Sequence, residues 1–533
     1  MMRLKPQLVP GWPKLTWVAR FEMGLTEVEV LHGPMVETAN EWVVEAVWAG
    51  DFDAGNFDQT DLIFGTGIRC RDGAVTFVSS GSTLDRLWHG SCGRRRYVSN
   101  SLGALLAVSG SNLLDTFDYA TPMKSICRGL REYRREFPTD GENVNVLYFN
   151  NLQYDGTALK EVEKPDVSPD FETFSQYHSF LIRTAEQLRE NLGHPRRKTP
   201  VATLTTLSSG YDSVAASIVA MHAGCEHAVT IRDSTSLWRG SDSGESIGER
   251  LGLHVRSYAR TARQYPLEAA IWAVVGRPGI LNWALFEYPA PLGLFFTGCH
   301  GDKVWDRQGP ELSDPFEIAS VADLGIGEFR LFRGVFHCPV PFWGMRKIDQ
   351  IRAVSTSAEM ARWTLGTTYD RPIARRIIEE AGIPRGTFAV RKKNTSLESR
   401  FLWPVSPDAR ASFAAYLAEH GIRAPSATAL GLMRCVENAY SLFRKNLPRL
   451  LRTLLPSGLW ENMASQRLLF QWANHVLQAE YAQALPAAQV CRRRPLRGKW
   501  REAVKPPASR PDTVGWTEAG DGRRELAISE PFS

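Results

Sequence analysis

The sequence predicts two architectures in one chain: an α+β layered domain, then a parallel-sheet α/β domain with a helical C-terminal part. Three observations carry this. Up to about residue 165, short apolar or alternating runs are separated by Gly, Asn and Asp-Gly pairs, as hairpins require. From about 200 to 300, strand-length and helix-length runs alternate, which is the rhythm of βαβ units on a parallel sheet. After residue 345 the pattern is helical.

In order, "EVEVLHGPMV", "WVVEAVWAGDF", "LIFGTGIRCRDGAVTFVSS", "RRRYVSNS" and "VNVLYFNNLQYDG" read as strands, with "LGALLAVSG" as a helix among them. "EVEKPDVSPDF" (161–171), charged and proline-bearing, is the natural linker. "VATLTTL", "HAVTIRD", "HVRSYA" and "GLFFTG" follow as strands, and "DSVAASIVAMHAG", "SDSGESIGERLGL" and "PLEAAIWAVVG" as the helices between them. "AEMARWTLG", "RPIARRIIEEAG", "ARASFAAYLAEHG", "SATALGLMRCVENAYSLFRKNL" and "ASQRLLFQWANHVLQAEYAQAL" are the later helices. The expected domains are 1–165, 172–480 and a basic, polar tail over 481–533 that packs loosely.

Composition excludes several classes. The chain has 533 residues, too many for one ordinary domain, with 43% hydrophobic and 23% charged residues, as in a globular protein with real cores. A net charge of +5 is small for this length and demands neither nucleic acid nor an anionic membrane. No apolar run reaches the roughly 20 residues that span a bilayer, and prolines occupy the start where a signal peptide would need an apolar core. The 8 cysteines are far apart, without CxxC or metal spacing. These features lead to the expectation of a cytoplasmic protein.

The chemistry concentrates in two turns at strand ends. In "TLTTLSSGYDSVAASIVA" a strand runs through Ser208, Ser209, Gly210, Tyr211, Asp212 and Ser213 into a helix. Backbone N–H groups at such a turn, backed by the helix dipole, make an anion site, and the serines add donors. A Walker loop would carry a lysine; here Asp212 stands instead, and an aspartate beside phosphates implies Mg2+ between them. The alternative is that Ser208 or Asp212 caps the helix. The second turn, "LFFTGCHGDKVWD", places Asp302 in a glycine-bounded loop after another buried strand, so two aspartates can converge on one metal–phosphate group.

At this point the sequence resembles the asparagine synthetase and β-lactam synthetase superfamily of ATP pyrophosphatases, a group of amidoligases that includes lasso-peptide cyclases. Its S-G-G-x-D-S signature is matched by Ser208 to Ser213 with Ser209 in place of a glycine, and its G-x-G-x-D-E motif by Gly298 to Lys303. "TYDRPIARRIIEEAGIP" is similar to its R-x-P-F-L-D segment, "FAVRKKNTSLESRF" to the segment carrying its essential lysine, and "RRYVSNSLGALLA" to an element of class II glutaminase domains. The resemblance implies a degenerate glutaminase-like (Ntn) N-terminal domain followed by an ATP-pyrophosphatase (HUP-like) domain. It implies ATP and Mg2+ as cofactors, with small-molecule or peptide carboxylate and amine substrates. Ser208, Ser209, Gly210, Tyr211 and Ser213, with Gly298, Gly301 and Lys303, would hold ATP and pyrophosphate; Asp212 and Asp302 would steer the metal. Ile231 would lie against adenine. Lys393, or Lys392 beside it, would stabilise the reacting acyl oxygen, with Cys299, His300 and Glu328 as further catalytic candidates.

The implied activity is amide-bond formation through an acyl-adenylate, with AMP and pyrophosphate released, in a specialised biosynthetic pathway. The family's glutaminases use a cysteine exposed after the initiator methionine, whereas this chain begins Met1-Met2-Arg3, so no glutaminase activity is expected. Cys299 stands where asparagine synthetases have glutamate and β-lactam-forming members have tyrosine; it is a buried filler or a catalytic thiol. His300 either takes a proton from the amine or is structural. Lys303, in place of the usual acid, either neutralises pyrophosphate or marks a degraded site. An asparagine synthetase proper, an adenylating tRNA-thiolation enzyme and a non-catalytic homologue are the alternatives; the second lacks any recognisable RNA-binding motif.

Overall fold

The computed structural model describes residues 2–232, 242–259, 265, 267–276, 286–288, 290–309, 311–318, 324, 326–389, 402–445, 455, 464–486, 517–518 and 524–525. The chain opens with β1 (Arg3–Leu8), β2 (Trp17–Glu22), β3 (Glu27–His32), β4 (Glu37–Thr38), β5 (Trp42–Trp48), β6 (Ile63–Arg71) and β7 (Ala74–Val78). β8 (Leu87–Cys92), β9 (Arg95–Ser99), α1 (Leu102–Ser109) and α2 (Ala120–Lys124) follow. β10 (Glu136–Phe137), β11 (Val144–Leu147), β12 (Asn151–Tyr154) and β13 (Leu159–Val162) complete this part.

These strands form a seven-stranded sheet, β1-β3-β2-β9-β8-β11-β10, and a six-stranded sheet, β13-β12-β7-β6-β5-β4. Alternation sets which face is buried. Val28 and Val30 of β3 point inward with Trp17 and Val98, and they meet Ile68, Val75 and Phe77 from the other sheet in one apolar core. The β6–β7 hairpin turns on Asp72 and Gly73, whose φ angles of 51° and 77° are those of a tight mirror-image turn, which glycine and aspartate adopt at least cost.

The segment 161–171, expected as a linker, is fastened down instead. Lys164 is buried and its Nζ donates to the Ser79 carbonyl at 2.7 Å and to Asn151 Oδ1 at 2.6 Å. Burial pushes its pKa down to about 7. Charge and proline suggested solvent exposure, but one long side chain can reach a polar pocket from an irregular surface segment.

The second part begins with α3 (Phe174–Leu192), opened by a capping box between Thr173 and Gln176. β14 (Val201–Thr206), α4 (Tyr211–His222), β15 (His227–Ile231), α5 (Glu245–Arg250), β16 (His254–Tyr258) and α6 (Glu268–Trp272) alternate as the sequence suggested. β17 (Leu292–Thr297), α7 (Gly301–Val304), α8 (Phe329–Arg333) and β18 (Val335–Pro339) continue. α9 (Ile348–Thr356), α10 (Pro372–Glu380), α11 (Pro407–Glu419), α12 (Ala427–Lys445) and α13 (Ala464–Gln483) follow. The sheet β16-β15-β14-β17-β18 is parallel throughout, as βαβ units require. Three elements depart from their sequence patterns: α5 starts only after Gly244, where Asp242 is bonded to Ser209, α6 spans only Glu268–Trp272, and Ala358–Trp363 winds as a 3-10 helix. No described helix is long and apolar enough to cross a membrane.

A buried polar seam joins the two parts. Arg330 on α8 donates from Nη1 and Nη2 to Glu45 at 2.7 and 2.9 Å, and from Nε to Asp85 at 2.8 Å. α13 reinforces the seam: the Tyr481 carbonyl accepts from Trp12 Nε1 at 3.2 Å, and Gly103 of α1 lies so close to Leu477 that a Cβ there would sit at 3.0 Å. Removing one member of a buried ionic group leaves the others uncompensated. Arg330→Met therefore loses about 3–5 kcal/mol of stability, read as a lowered urea midpoint, whereas replacing Glu45, Asp85 and Arg330 together with apolar residues recovers most of it.

Candidate functional site

In the parallel sheet β14 has β15 on one side and β17 on the other, so the winding direction reverses between β14 and β17. The crevice at the C-terminal ends of two such strands is where open α/β sheets bind ligands. Both turns singled out from the sequence leave these two strands.

The first turn is built by its own hydroxyls. Ser208 and Ser213 Oγ lie 2.7 Å apart; Ser213 Oγ also accepts from the Ser208 amide at 3.1 Å and Ser208 Oγ from the Gly210 amide at 3.2 Å. The pair has two hydroxyl hydrogens and uses one on the other, so one stays available to an anion. Gly210 is the N-cap of α4 and no side chain caps it, which disfavours the simple helix-cap reading of Ser208 or Asp212. Ser209 is a correction: its hydroxyl is engaged by Asp242 at 2.6 Å and does not line the turn as a free donor. Tyr211 is another, because its ring is buried against Tyr369 at 4.9 Å and its hydroxyl accepts from Arg375. Only its amide belongs to the helix start.

The second turn closes on the first. A Cβ on Gly298 would lie 2.4 Å from the Asp212 carbonyl carbon, and one on Gly301 2.5 Å from Asp212 Cγ. Only glycine permits this approach. The two loops therefore meet at Asp212, and Asp302 follows immediately in the short α7. The carboxylate of Asp302 and the ammonium of Lys303 are half-buried and make no hydrogen bond among the described residues. His300, at φ 77°, is buried against Phe342 with ring centroids 4.9 Å apart, and among the described residues neither ring nitrogen has a hydrogen-bond partner. Burial lowers its pKa to about 4, so it is a neutral imidazole near neutrality. Cys299 is half-buried, its amide 3.5 Å from Thr297 Oγ1.

Arg371, which the sequence reading did not single out, completes the cluster. It is buried at the start of α10, pairs with Asp212, lies 3.7 Å from Asp306 and stacks over Tyr369 at 5.1 Å. Asp212 and Asp302 both raise its pKa against the opposing effect of burial. In the sequence it is marked only as part of the R-x-P-F-L-D-like segment, with no role of its own.

Glu328 is the clearest correction. It is buried at the seam, accepting from Ser101 Oγ at 2.8 Å and the Leu102 amide at 3.0 Å. It serves the start of α1, so its catalytic candidacy ends. Ile231 ends β15, half-buried beside Val229 and Tyr258. Lys392 and Lys393, and nearly all of the tail over 481–533, lie outside the described residues. Before these lysines the last described residue is Ala389, whose amide donates to the Ser209 carbonyl at 2.7 Å.

Among the described residues no group of three or more His, Cys, Asp or Glu is placed to hold a metal. Asp212 and Asp302 offer two carboxylates beside one arginine. That fits Mg2+ only as it is usually held with nucleotides, by one or two carboxylates plus substrate phosphates and water. No protein-family model matches the chain, and no curated protein matches it.

His337 on β18 is a second histidine kept neutral: its Nε2 lies 2.8 Å from Thr297 Oγ1 and burial lowers its pKa to about 4 from 6.5. A histidine that binds its proton less readily folded than unfolded gives stability that is complete above its unfolded pKa and is lost as pH falls through the folded one. Unfolding free energy therefore falls between about pH 6.5 and 4, and His337→Gln removes about 3 kcal/mol of that fall, read from urea titrations at neutral and acid pH.

Proposed function

We propose that the chain is an ATP-dependent ligase that forms an amide bond through an acyl-adenylate, releasing AMP and pyrophosphate, as asparagine synthetase-like proteins do. The observation that carries this reading is the meeting of two strand-end loops on Asp212. It needs glycine at both 298 and 301 and leaves Asp302 and Lys303 open beside the start of α4. The finer reading of the fold belongs to the same proposal: a glutaminase-like pair of sheets on an ATP-pyrophosphatase sheet.

A carboxylate is a poor acyl donor, so it attacks the α-phosphate of ATP, and the oxygen bridging the α- and β-phosphates leaves with pyrophosphate. The spare hydroxyl hydrogen of the Ser208–Ser213 pair and the amides at the start of α4 bind the leaving group. Lys303 of the second turn adds a cation. Mg2+ held by Asp212, Asp302 and the phosphates would offset the charge of the leaving group. Arg371 holds the Asp212 carboxylate in place and prevents it from repelling the phosphates. The amine then adds to the acyl carbon. Lys393, which lies outside the described residues, is the expected stabiliser of the oxygen that becomes negative.

The proposal includes no glutamine hydrolysis. In the two N-terminal sheets Cys70 and Cys92 lie within strands, Cys70 Sγ donates to the Met2 carbonyl at 3.3 Å, and burial raises its pKa. A thiol so placed is a poor nucleophile. The amine comes from solution or from the substrate itself.

Purified protein given ATP and a panel of carboxylates is expected to exchange labelled pyrophosphate into ATP, and Asp302→Ala to lower that exchange about 100-fold. No exchange with any carboxylate, together with no ATP binding by calorimetry, would favour a non-catalytic homologue. Magnesium alone is expected to give no binding heat, and to bind only when ATP is present. Glutamate release from glutamine stays at background.

A further inference from the structure

A lysine and an asparagine meet at the edge of the six-stranded sheet, where the segment joining the two parts leaves it. Asn151 opens β12 and stands opposite Val162 of β13, so Lys164, two residues on, comes alongside it. Both side chains are buried, each 2% exposed. Lys164 precedes Pro165, which restricts its backbone to extended conformations and limits where its side chain can swing.

The polar atoms here suit a reaction between the two. Lys164 Nζ lies 2.6 Å from Asn151 Oδ1 and 2.7 Å from the Ser79 carbonyl oxygen. With a C=O bond of about 1.23 Å, Nζ is no more than about 3.8 Å from the amide carbon, close to the roughly 3–3.5 Å of a reacting pair. The Ser79 amide donates to the same Oδ1 at 3.2 Å, so a fixed backbone dipole already faces the oxygen on which negative charge would grow. These two donors also fix which end of the side-chain amide is the oxygen. Burial pushes the lysine pKa down to about 7, which makes much of it a nucleophilic neutral amine. Rotation about Cε–Nζ turns the lone pair of that amine toward Asn151 while one hydrogen stays on the Ser79 carbonyl.

Asp61 is the third group. It is buried, its charge raises the lysine pKa against the effect of burial, and burial raises its own pKa. Arg346 is 4.0 Å from it, too far for a hydrogen bond that would tie the carboxyl up. Asp58, on the same loop, pairs with Arg71 at 3.3 Å instead.

We propose that Lys164 and Asn151 join in an isopeptide bond, formed by the folded chain itself. Nζ attacks Cγ of Asn151, the new Nζ–Cγ bond replaces the Cγ–Nδ2 bond, and the departing nitrogen leaves as ammonia. The proton lost by Nζ passes through the Asp61 carboxyl to that nitrogen, so no other reactant is consumed. The Ser79 amide stabilises the tetrahedral oxygen, and burial keeps water from competing. The structure holds the pair as reactants, and the product would rivet the segment 161–171 to β12. This chemistry is separate from the ligase reading and does not depend on it.

The test is mass spectrometry of the full-length protein, purified folded and incubated at about pH 8, where the amine is neutral. The intact mass is expected about 17 Da below that of the sequence, the loss of one ammonia. A trypsin digest is expected to give peptides 136–160 and 161–183 as one linked species, the bond after Lys164 being protected by Pro165. Lys164→Met and Asn151→Ala keep the full mass. Asp61→Asn, verified as folded by circular dichroism, gives at least about tenfold less linked species at the same time. Full mass in the unsubstituted protein would overturn the proposal. So would loss of ammonia without the linked peptides, which marks a succinimide at an asparagine, or equal linkage in Asp61→Asn.

Discussion

The second half of the molecule depends on one close approach. β14 and β17 are adjacent and parallel, so the loops leaving them must share the space above two neighbouring strands about 5 Å apart. They fit because residues 298 and 301 have no side chain, and the backbone of one loop rests directly on the backbone and carboxyl group of the other. Once the loops are in contact, the start of α4, the carboxylates and Lys303 have little freedom in where they sit. The reversal of winding between these strands opens the crevice, and the glycines decide how narrow it is.

Charge around that contact is balanced by protein groups. Arg371 pairs with Asp212 and also feels Asp302 and Asp306, while Tyr369 and Tyr211 stack around Arg371 and Arg375. A carboxylate shared with a buried guanidinium is oriented before any ligand arrives, which removes part of the ordering cost from binding. The same principle operates at the seam, where Arg330 holds Glu45 and Asp85, although there the group is sealed from solvent and has only a structural part to play.

Much of this was legible in the sequence. Strands and helices of the parallel sheet follow from apolar runs whose lengths are set by burial, and the two turns are conspicuous because small residues gather where backbone must come close. The fates of Ser209, Tyr211 and Glu328 were not legible. A serine hydroxyl, a tyrosine ring and a carboxylate look alike in sequence whether they face a ligand or a neighbour. Each was engaged by a residue far away along the chain: Asp242, Arg375 and Ser101. Arg371 was marked only by its R-x-P-F-L-D-like segment, which does not reveal that it faces Asp212, 159 positions away. Lys164 misled because long side chains can leave a polar segment and bury only their tips.

The contact between Trp12 and the Tyr481 carbonyl joins residues 469 positions apart. A ribosome adding about 5–20 residues per second takes on the order of half a minute to a minute and a half to make the intervening chain. During that interval the face of α1 that α13 will cover has no cover of its own, and Gly103 and its neighbours form an open apolar strip on a nascent protein. The earliest-made sheets thus remain incomplete until α13 has been translated, and that helix closes a surface prepared long before it.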